Sequence, residues 1–367
     1  MGPPTSLGHP TLSDLGNICE ASSAELQGLW RPQLHMVGCI AWGHCEVYYI
    51  MDSDQFKGAN MEATVISRTL DIVNEKLQAQ GASMPRSLVI AADNTQKEAK
   101  NQTFLSFLGF EKASEKFDSV EAEYMKSGHT HNEQDQRFSV VAGVVSSAPV
   151  LENKEEVRDY MKAHIPPVKG REVIVEILPV VWDFEQWLDE PLNVHIKGLG
   201  ATHYEPEATH VWRIISRSLL PTAGFTDESI VCAHEGWKNI EPNPADAILL
   251  LKAAMHKTSF TQQPILLCPA VVANAIDPGK LKPAALNPLG QIVINQFRKT
   301  AETVAKPPWS LIKAQAYLQS LCDNNINGFI PEVEPPSFVL HYKMKPIASA
   351  PALPLHLYQD PNKKLEI

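Results

Sequence analysis

Two aspartates are the residues of this chain whose surroundings point most directly to chemistry. Asp93 follows the apolar run Ser87–Ala92, whose composition is typical of a strand buried on both faces. Asp135 comes near the start of a later segment with helical spacing. Ligands gather at the carboxyl ends of strands in open parallel sheets, so the two carboxylates converge if that helix packs beside the strand.

Paired carboxylates at a strand end offer the oxygen ligands that Mg²⁺ and Mn²⁺ prefer. Two such ions support phosphodiester hydrolysis or strand transfer, since one activates the attacking oxygen and the other stabilises the leaving oxygen. We therefore interpret Asp93 and Asp135 as candidate catalytic and metal-binding residues. The alternative stays open, because an aspartate after a strand often forms a turn and an aspartate early in a helix is favoured by the helix dipole.

Two histidines and two lysines are further candidates. His129 and His131 are two residues apart, so in an extended segment they face the same side and could bind Zn²⁺ together with Asp135. Their alternative is a structural role with bonds to the backbone or to a carboxylate. Lys97 and Lys100 are expected at a solvated helix start, with contact to a phosphate as the alternative.

The elements that must position these residues follow from hydrophobic periodicity and from turn residues. The predicted strands are 34–42, 45–51, 87–92, 119–126 and 173–181. The predicted helices are 60–80, 98–109, 133–145, 183–188, 244–256, 289–304 and 309–322. Strands that alternate with helices predict an α/β fold with parallel neighbours.

Composition limits the class of protein. The 367 residues are 44% hydrophobic and 20% charged, which is typical of a soluble globular chain. No apolar run approaches the roughly 18–20 residues that span a bilayer, and the start of the chain lacks a secretory signal. Six cysteines without a CxxC pair favour reduced, buried thiols over a zinc ribbon. We expect a nuclear or cytoplasmic protein that is not secreted and has no membrane partner.

The net charge of −10 provides no basic surface for duplex DNA. This acidic balance counts against a nucleic-acid partner and favours a protein partner.

Three segments carry a resemblance to a known family. They are 31–35 (RPQLH), 92–95 (ADNT) with 100–102 (KNQ), and 128–138 (GHTHNEQDQRF). Together they resemble an uncharacterised domain-of-unknown-function family of transposon-derived proteins, related to DDE-type transposases with an RNase H-like fold. The resemblance extends from about Arg31 to Arg217.

The resemblance implies three catalytic acids: one on the first strand, one after the fourth strand, and one on or near the last core helix. Asp93 matches the second acid and Asp135 the third, with Glu133 as the fallback for the third and Asn94 as an accessory residue. His129 and His131 match the signature turn of the family. An active member would be a Mg²⁺- or Mn²⁺-dependent nuclease or transposase with DNA as its partner.

This chain departs from the family pattern at the first strand, which is central in the fold and lies between the second and fourth strands. Its place holds residues 13–30, in which Asp14, Glu20 and Glu25 are the only acids. Residues 1–30 could supply a poor substitute, 173–181 could fill the gap, or the chain could be a truncated copy. We favour truncation or decay.

The fold expected is therefore an RNase H-like mixed sheet flanked by helices, without its first central strand. We divide the chain into an irregular segment (1–30), the core (31–150), an extension (151–217), a mostly helical region (218–330) and a Pro-rich, extended tail (331–367). The function expected is a degenerate or inactive nuclease-like protein with a partial carboxylate metal site. The alternative is a non-catalytic binding or scaffolding protein that reuses the fold.

Overall fold

A computed structural model gives the structure of the chain. It describes residues 34–92, 99–124, 133–149, 151–168, 170–194, 196, 209–253, 257, 259–260, 263–307, 309–341 and 355–356. Two mixed sheets flanked by helices form an α/β fold, and a helical region follows towards the carboxyl end. Within these residues, no helix is both long and apolar enough to cross a bilayer.

The first sheet, sheet A, has three strands in the order β1-β2-β5. Their bounds are β1 Leu34–Ala41, β2 Cys45–Asp52 and β5 Glu172–Ile177. β1 and β2 form an antiparallel hairpin, and β5 runs parallel to β2 along its other edge. Gly43 has a φ of 76°, a left-handed conformation that glycine adopts without strain, and it closes the hairpin turn.

The second sheet, sheet B, has seven strands in the order β10-β3-β4-β6-β8-β9-β7. The bounds are β3 Ser87–Ala92, β4 Ser119–Tyr124, β6 Val211–Ser216, β7 Val231–Cys232, β8 Ala247–Lys252, β9 Ile265–Cys268 and β10 Leu355–His356. β3 is parallel to β4 and to β10, whereas β6 and β8 are antiparallel to their neighbours.

Nine α-helices lie in the described residues. Their bounds are α1 Ala59–Ala79, α2 Gln102–Ala113, α3 Glu133–Ser146, α4 Lys154–His164, α5 Phe184–Leu192, α6 Ala270–Ala275, α7 Gln291–Val304, α8 Ile312–Asn327 and α9 Ser337–His341. Short 3₁₀ helices cover Arg217–Ala223, Asp227–Ser229, Glu235–Trp237 and Pro278–Lys280.

Side chains of the β1–β2 hairpin are buried on both faces of sheet A. One face, with Val47 and Tyr49, joins α1 and sheet B in the largest hydrophobic core. The other face, with Tyr48 and Ile50, packs against α3 and α4 in a second core. This two-sided burial explains the nearly continuous apolar sequence of the hairpin.

Most of the predicted elements are confirmed within five residues of their ends: the hairpin, the strand 87–92, and the helices beginning at residues 133, 183, 289 and 309. The caps differ in detail. Gly58 precedes α1, and the Asn60 side chain, in the first turn, contacts Asp183 and the backbone of Glu185. Asn101 caps α2 by accepting from the Phe104 N–H, so this helix starts later than predicted.

The helix predicted for 244–256 is wrong, because the chain forms β8 there. β8 pairs with β6 on one side and β9 on the other, so an apolar run that fits a buried helix is used as a central strand. The tail beyond residue 330 was expected to be extended and poorly packed. Ser337–His341 instead forms α9, and Phe338 is buried in the largest core.

The strand predicted at 173–181 does not fill the gap between the hairpin and β3. As β5, it pairs with β2, on the side of the hairpin away from β1. Among the described strands, the edge of β3 opposite β4 is paired by β10.

Candidate functional site

The carboxyl end of β3 is where the sequence placed the principal catalytic residue. Ala92, the last residue of β3, is the register partner of Tyr124, the last residue of β4. Asp93 and Asn94 follow Ala92 in the sequence but lie outside the described residues. Tyr124 therefore marks the described edge of the candidate site.

Five polar side chains are buried around this edge, and each is at most 5% exposed. We call them the carboxyl-edge cluster: Glu62, Lys100, Tyr124, Thr209 and His210. They come from α1, from the turn before α2, from β4 and from the entry to β6. Burying these polar groups costs free energy unless each of them finds a hydrogen-bond partner. The fold must therefore hold the cluster together.

Tyr124 lies at the centre of the cluster. The Tyr124 hydroxyl donates to the backbone carbonyl of Ala99 at 2.8 Å. The backbone carbonyl oxygen of Tyr124 lies 3.0 Å from Nδ1 of His210. The Lys100 Nζ lies 5.6 Å from the centre of the Tyr124 ring, a cation–π geometry. Trp212 packs edge-on against the same ring at 4.6 Å between centroids.

Glu62 extends the cluster towards sheet A. Burial raises the pKa of the Tyr124 phenol well above its usual range, and the Glu62 carboxylate raises it further. The same carboxylate contributes to the raised pKa of the Cys39 thiol on β1, which burial sets at about 12. Glu62 is thus within electrostatic reach of both sheets.

Lys100 corrects a prediction. The sequence placed it at a solvated helix start, yet its side chain is 1% exposed and faces Tyr124. A charge on a buried amino group is screened poorly by the surrounding protein.

The start of α3 lies beside the amino ends of β2 and β5. Glu133 forms an ion pair with Arg171, whose guanidinium lies over the Trp42 ring at 5.0 Å. Arg137 forms a buried ion pair with Glu46 at 2.6 Å. The segment that carries the family resemblance therefore supplies contacts that fasten α3 to the hairpin.

The remaining predicted site residues stay predictions. The Asp135 side chain, His129 and His131 lie outside the described residues. Glu133 is described, and its partner is Arg171.

The described residues of the edge offer few metal ligands. In the described part of the chain, no group of three or more His, Cys, Asp or Glu side chains could hold an ion. The carboxylate of the carboxyl-edge cluster is Glu62, to which the sequence adds Asp93. A single described carboxylate beside a lysine amino group, which is no metal ligand when protonated, fits Mg²⁺ or Mn²⁺ poorly.

Comparison with known proteins gives one family. The profile of the domain of unknown function DUF7869 matches residues 24–208, half of the chain. The chain belongs to this family. No curated protein and no solved structure matches the chain significantly. The matched range covers sheet A, β3, β4 and the helices between them, and ends before β6.

Sequence reasoning missed Glu62 and His210 as members of a site, and it missed the burial of Lys100. Glu62 is flanked by apolar residues in a segment whose pattern predicts an amphipathic helix. Lys100 lies among polar neighbours, which predict an exposed position. The one available signal for Glu62 is its place on the buried stripe of α1, where a charged residue is unusual.

Proposed function

We propose that the chain is a transposase-derived, RNase H-like protein whose catalytic centre is degenerate. The observation that carries this proposal is the buried Lys100 amino group over Tyr124, at the edge where Asp93 follows β3 in the sequence. A divalent-metal nuclease needs positive charge from its ions at such an edge. Here the protonated Lys100 side chain would provide positive charge in their place.

The order of elements supports the RNase H-like interpretation. An antiparallel hairpin is followed by α1, then by β3, α2 and β4, with β3 and β4 parallel. This order agrees with the fold that the family resemblance implies. Membership of a family of unknown function leaves activity to be tested directly.

Under this proposal Asp93 remains the principal metal ligand, with Asp135 as the predicted second one. The carboxylates keep weak affinity for Mg²⁺ or Mn²⁺, which supplies Lewis acidity when bound. The chain's own contribution is to bury the edge around Tyr124 and to hold Lys100 there.

A nuclease assay tests the degenerate centre. Purified protein is incubated with single- and double-stranded DNA in Mg²⁺ or Mn²⁺, beside Asp93→Ala. We expect no cleavage above that of the variant. Metal-dependent cleavage that disappears in Asp93→Ala would show an intact catalytic centre and overturn the proposal.

A binding experiment tests the role of Lys100. Mn²⁺ affinity is measured by calorimetry for wild type, Lys100→Met and Lys100→Arg. Removal of the charge in Lys100→Met is expected to raise Mn²⁺ affinity by about tenfold or more, whereas Lys100→Arg keeps the charge and the weak affinity. Circular dichroism confirms that each variant is folded. Equal affinities for the two folded variants would contradict a charge effect.

A second candidate function is protein binding without catalysis. The acidic net charge favours it, and so do three apolar side chains at one end of the α7–α8 hairpin, each at least half exposed: Ile292, Ile326 and Phe329. Leu289 and Asn325 are hydrogen-bonded there, which places the start of α7 beside the end of α8. Salt-dependent duplex binding at micromolar affinity or tighter, measured by fluorescence anisotropy, would speak against this function.

A further inference from the structure

The edge of β3 that faces away from β4 is paired by the carboxyl-terminal tail of the same chain. Leu355 is the register partner of Leu88, and His356 of Val89, in a parallel ladder. This edge faces away from β4, so β10 ends the order of sheet B beside β3. The tail therefore uses the side of β3 on which the family pattern places the first central strand.

The tail is anchored before it reaches β3. The buried Asp71 of α1 accepts from the backbone N–H and the hydroxyl of Ser337 and from the N–H of Phe338. The Phe338 ring packs against Phe117, with 5.7 Å between centroids. Phe117 lies just before β4, so α9 is fixed near the amino ends of β3 and β4, where a parallel partner of β3 must enter.

An unpaired edge beside a buried strand is unfavourable, because each N–H and C=O that faces it needs a partner. Leu88 and Ile90 of β3 are almost completely buried. Water therefore does not hydrogen-bond to the backbone of this strand as it would to that of an exposed strand. The other candidate within the described chain, β5, is already placed beside β2.

We propose that the carboxyl-terminal tail is an internal ligand of the β3 edge: it adds a parallel strand in the position that the family resemblance gives to the first central strand. Ser337–His341 and Leu355–His356 then belong to the folded unit of the family domain, although the matched family range ends at residue 208. The β3 edge binds the tail through backbone hydrogen bonds, as in strand-addition complexes between proteins. α9 holds the tail near this edge and so favours one register.

Cysteine cross-linking in the full chain tests the register. The variant Val89→Cys/His356→Cys places cysteines on register partners, and Val89→Cys/Leu355→Cys is the matched control shifted by one residue. Neighbouring strands are about 4.8 Å apart and a disulfide tolerates Cα separations up to about 7 Å. A one-residue shift turns the side chain to the opposite face of the sheet. We expect mild oxidation to link the first pair within one molecule at least about five times faster than the control.

Peptide mapping by mass spectrometry identifies the linked residues, and each single-cysteine variant reports reactions with the native thiols. Equal rates for the two pairs, or linkage only between two molecules, would overturn the proposal. These results are independent of nuclease or metal assays, so the proposed function can fail while the tail strand stands.

Hydrogen exchange provides a second measurement on the full chain. His356→Pro removes one N–H and disfavours strand pairing while leaving α9 intact. We expect faster exchange at the β3 amides and unchanged exchange in β6. Unchanged exchange in β3 would show that the tail does not protect this edge.

Discussion

Glu46 of β2 is completely buried, and two neighbours account for its position. Arg137 of α3 donates to its carboxylate at 2.6 Å, and the Tyr48 hydroxyl donates to the same oxygen. Arg137 also donates to the Pro166 carbonyl at 2.8 Å. One guanidinium thus joins the hairpin, α3 and the end of α4.

Arg137→Met tests this ion pair. The substitution leaves Glu46 buried without its cation, which typically costs about 3–5 kcal/mol. We expect urea unfolding to shift to clearly lower denaturant. Arg158→Met is the control, because Arg158 pairs with the exposed Asp159, and its unfolding curve should match wild type. Equal effects from the two substitutions would contradict a special role for the buried pair.

Glu111 and Lys116 form a second buried ion pair at 2.9 Å. Burial raises the pKa of Glu111 to about 7, a rise that the Lys116 ammonium opposes and the Asp71 carboxylate adds to. Burial likewise lowers the pKa of Lys116. Both directions favour the uncharged forms in the folded protein.

The Glu111 shift gives stability a pH dependence of defined sign. An unfolded glutamate ionises near pH 4.3, whereas the folded one holds its proton up to about pH 7. The unfolded state therefore binds fewer protons in this window, and the free energy of unfolding falls as pH rises. Relative to Glu111→Gln, wild type should lose stability between about pH 4.5 and 7 in urea titrations. A difference that stays constant, or grows with pH, would refute the shift.

At the scale of elements, α2 approaches β9 closely at one glycine. A Cβ added to Gly109 would lie 2.9 Å from two carbons of the Leu267 side chain. Leu267 is itself completely buried and has little room to move. The absence of a side chain at Gly109 thus permits the helix to pack directly on sheet B.

Gly109→Ala and Gly143→Ala form a matched pair of helical substitutions. Overpacking at Gly109 costs about 1–3 kcal/mol, and helix propensity returns at most about 1 kcal/mol, so we expect a net loss. A Cβ at Gly143 in α3 would meet nothing within 4 Å, so that variant should gain about 0.5–1 kcal/mol. Thermal unfolding of both variants checks the opposite signs. A stabilised Gly109→Ala would show that α2 has space to shift.

The sequence predicted the elements whose signals are local. The β1–β2 hairpin has two apolar runs around a short turn, and α1 has a long stripe of apolar residues. α4 was missed because its buried stripe consists of only Val157 and Met161. β8 was mistaken for a helix because a continuous apolar run has no periodicity that separates the two.

At the scale of the whole molecule, one hydrophobic core joins sheet A, sheet B, α1, α2 and α9, and it includes residues from Val37 to Phe338. The strands β6, β8 and β9 lie beyond the matched family range yet share the sheet of β3 and β4. α7 and α8 are different, since their facing side chains form a separate small core.

We expect the α7–α8 core and the largest core to differ in hydrogen exchange. Amides of α7 and α8 should exchange at lower denaturant than those of β3, β4, β6 and β8, which should become exposed together in one cooperative transition. Mass spectrometry at increasing urea distinguishes the two groups. Separate transitions for β4 and β8 would show that the family region unfolds apart from the rest.

By itself, the sequence determined the local features: the hairpin, most helices, an α/β class and an aspartate at the end of a buried strand. These depend on periodicity and turn residues within short windows. Only the tertiary structure decided that Lys100 and Glu62 are buried around Tyr124, that 173–177 lies beside β2, and that the tail pairs with β3. Each of those outcomes depends on residues far apart in the chain, and burial or strand pairing across such distances leaves no periodic mark in the sequence.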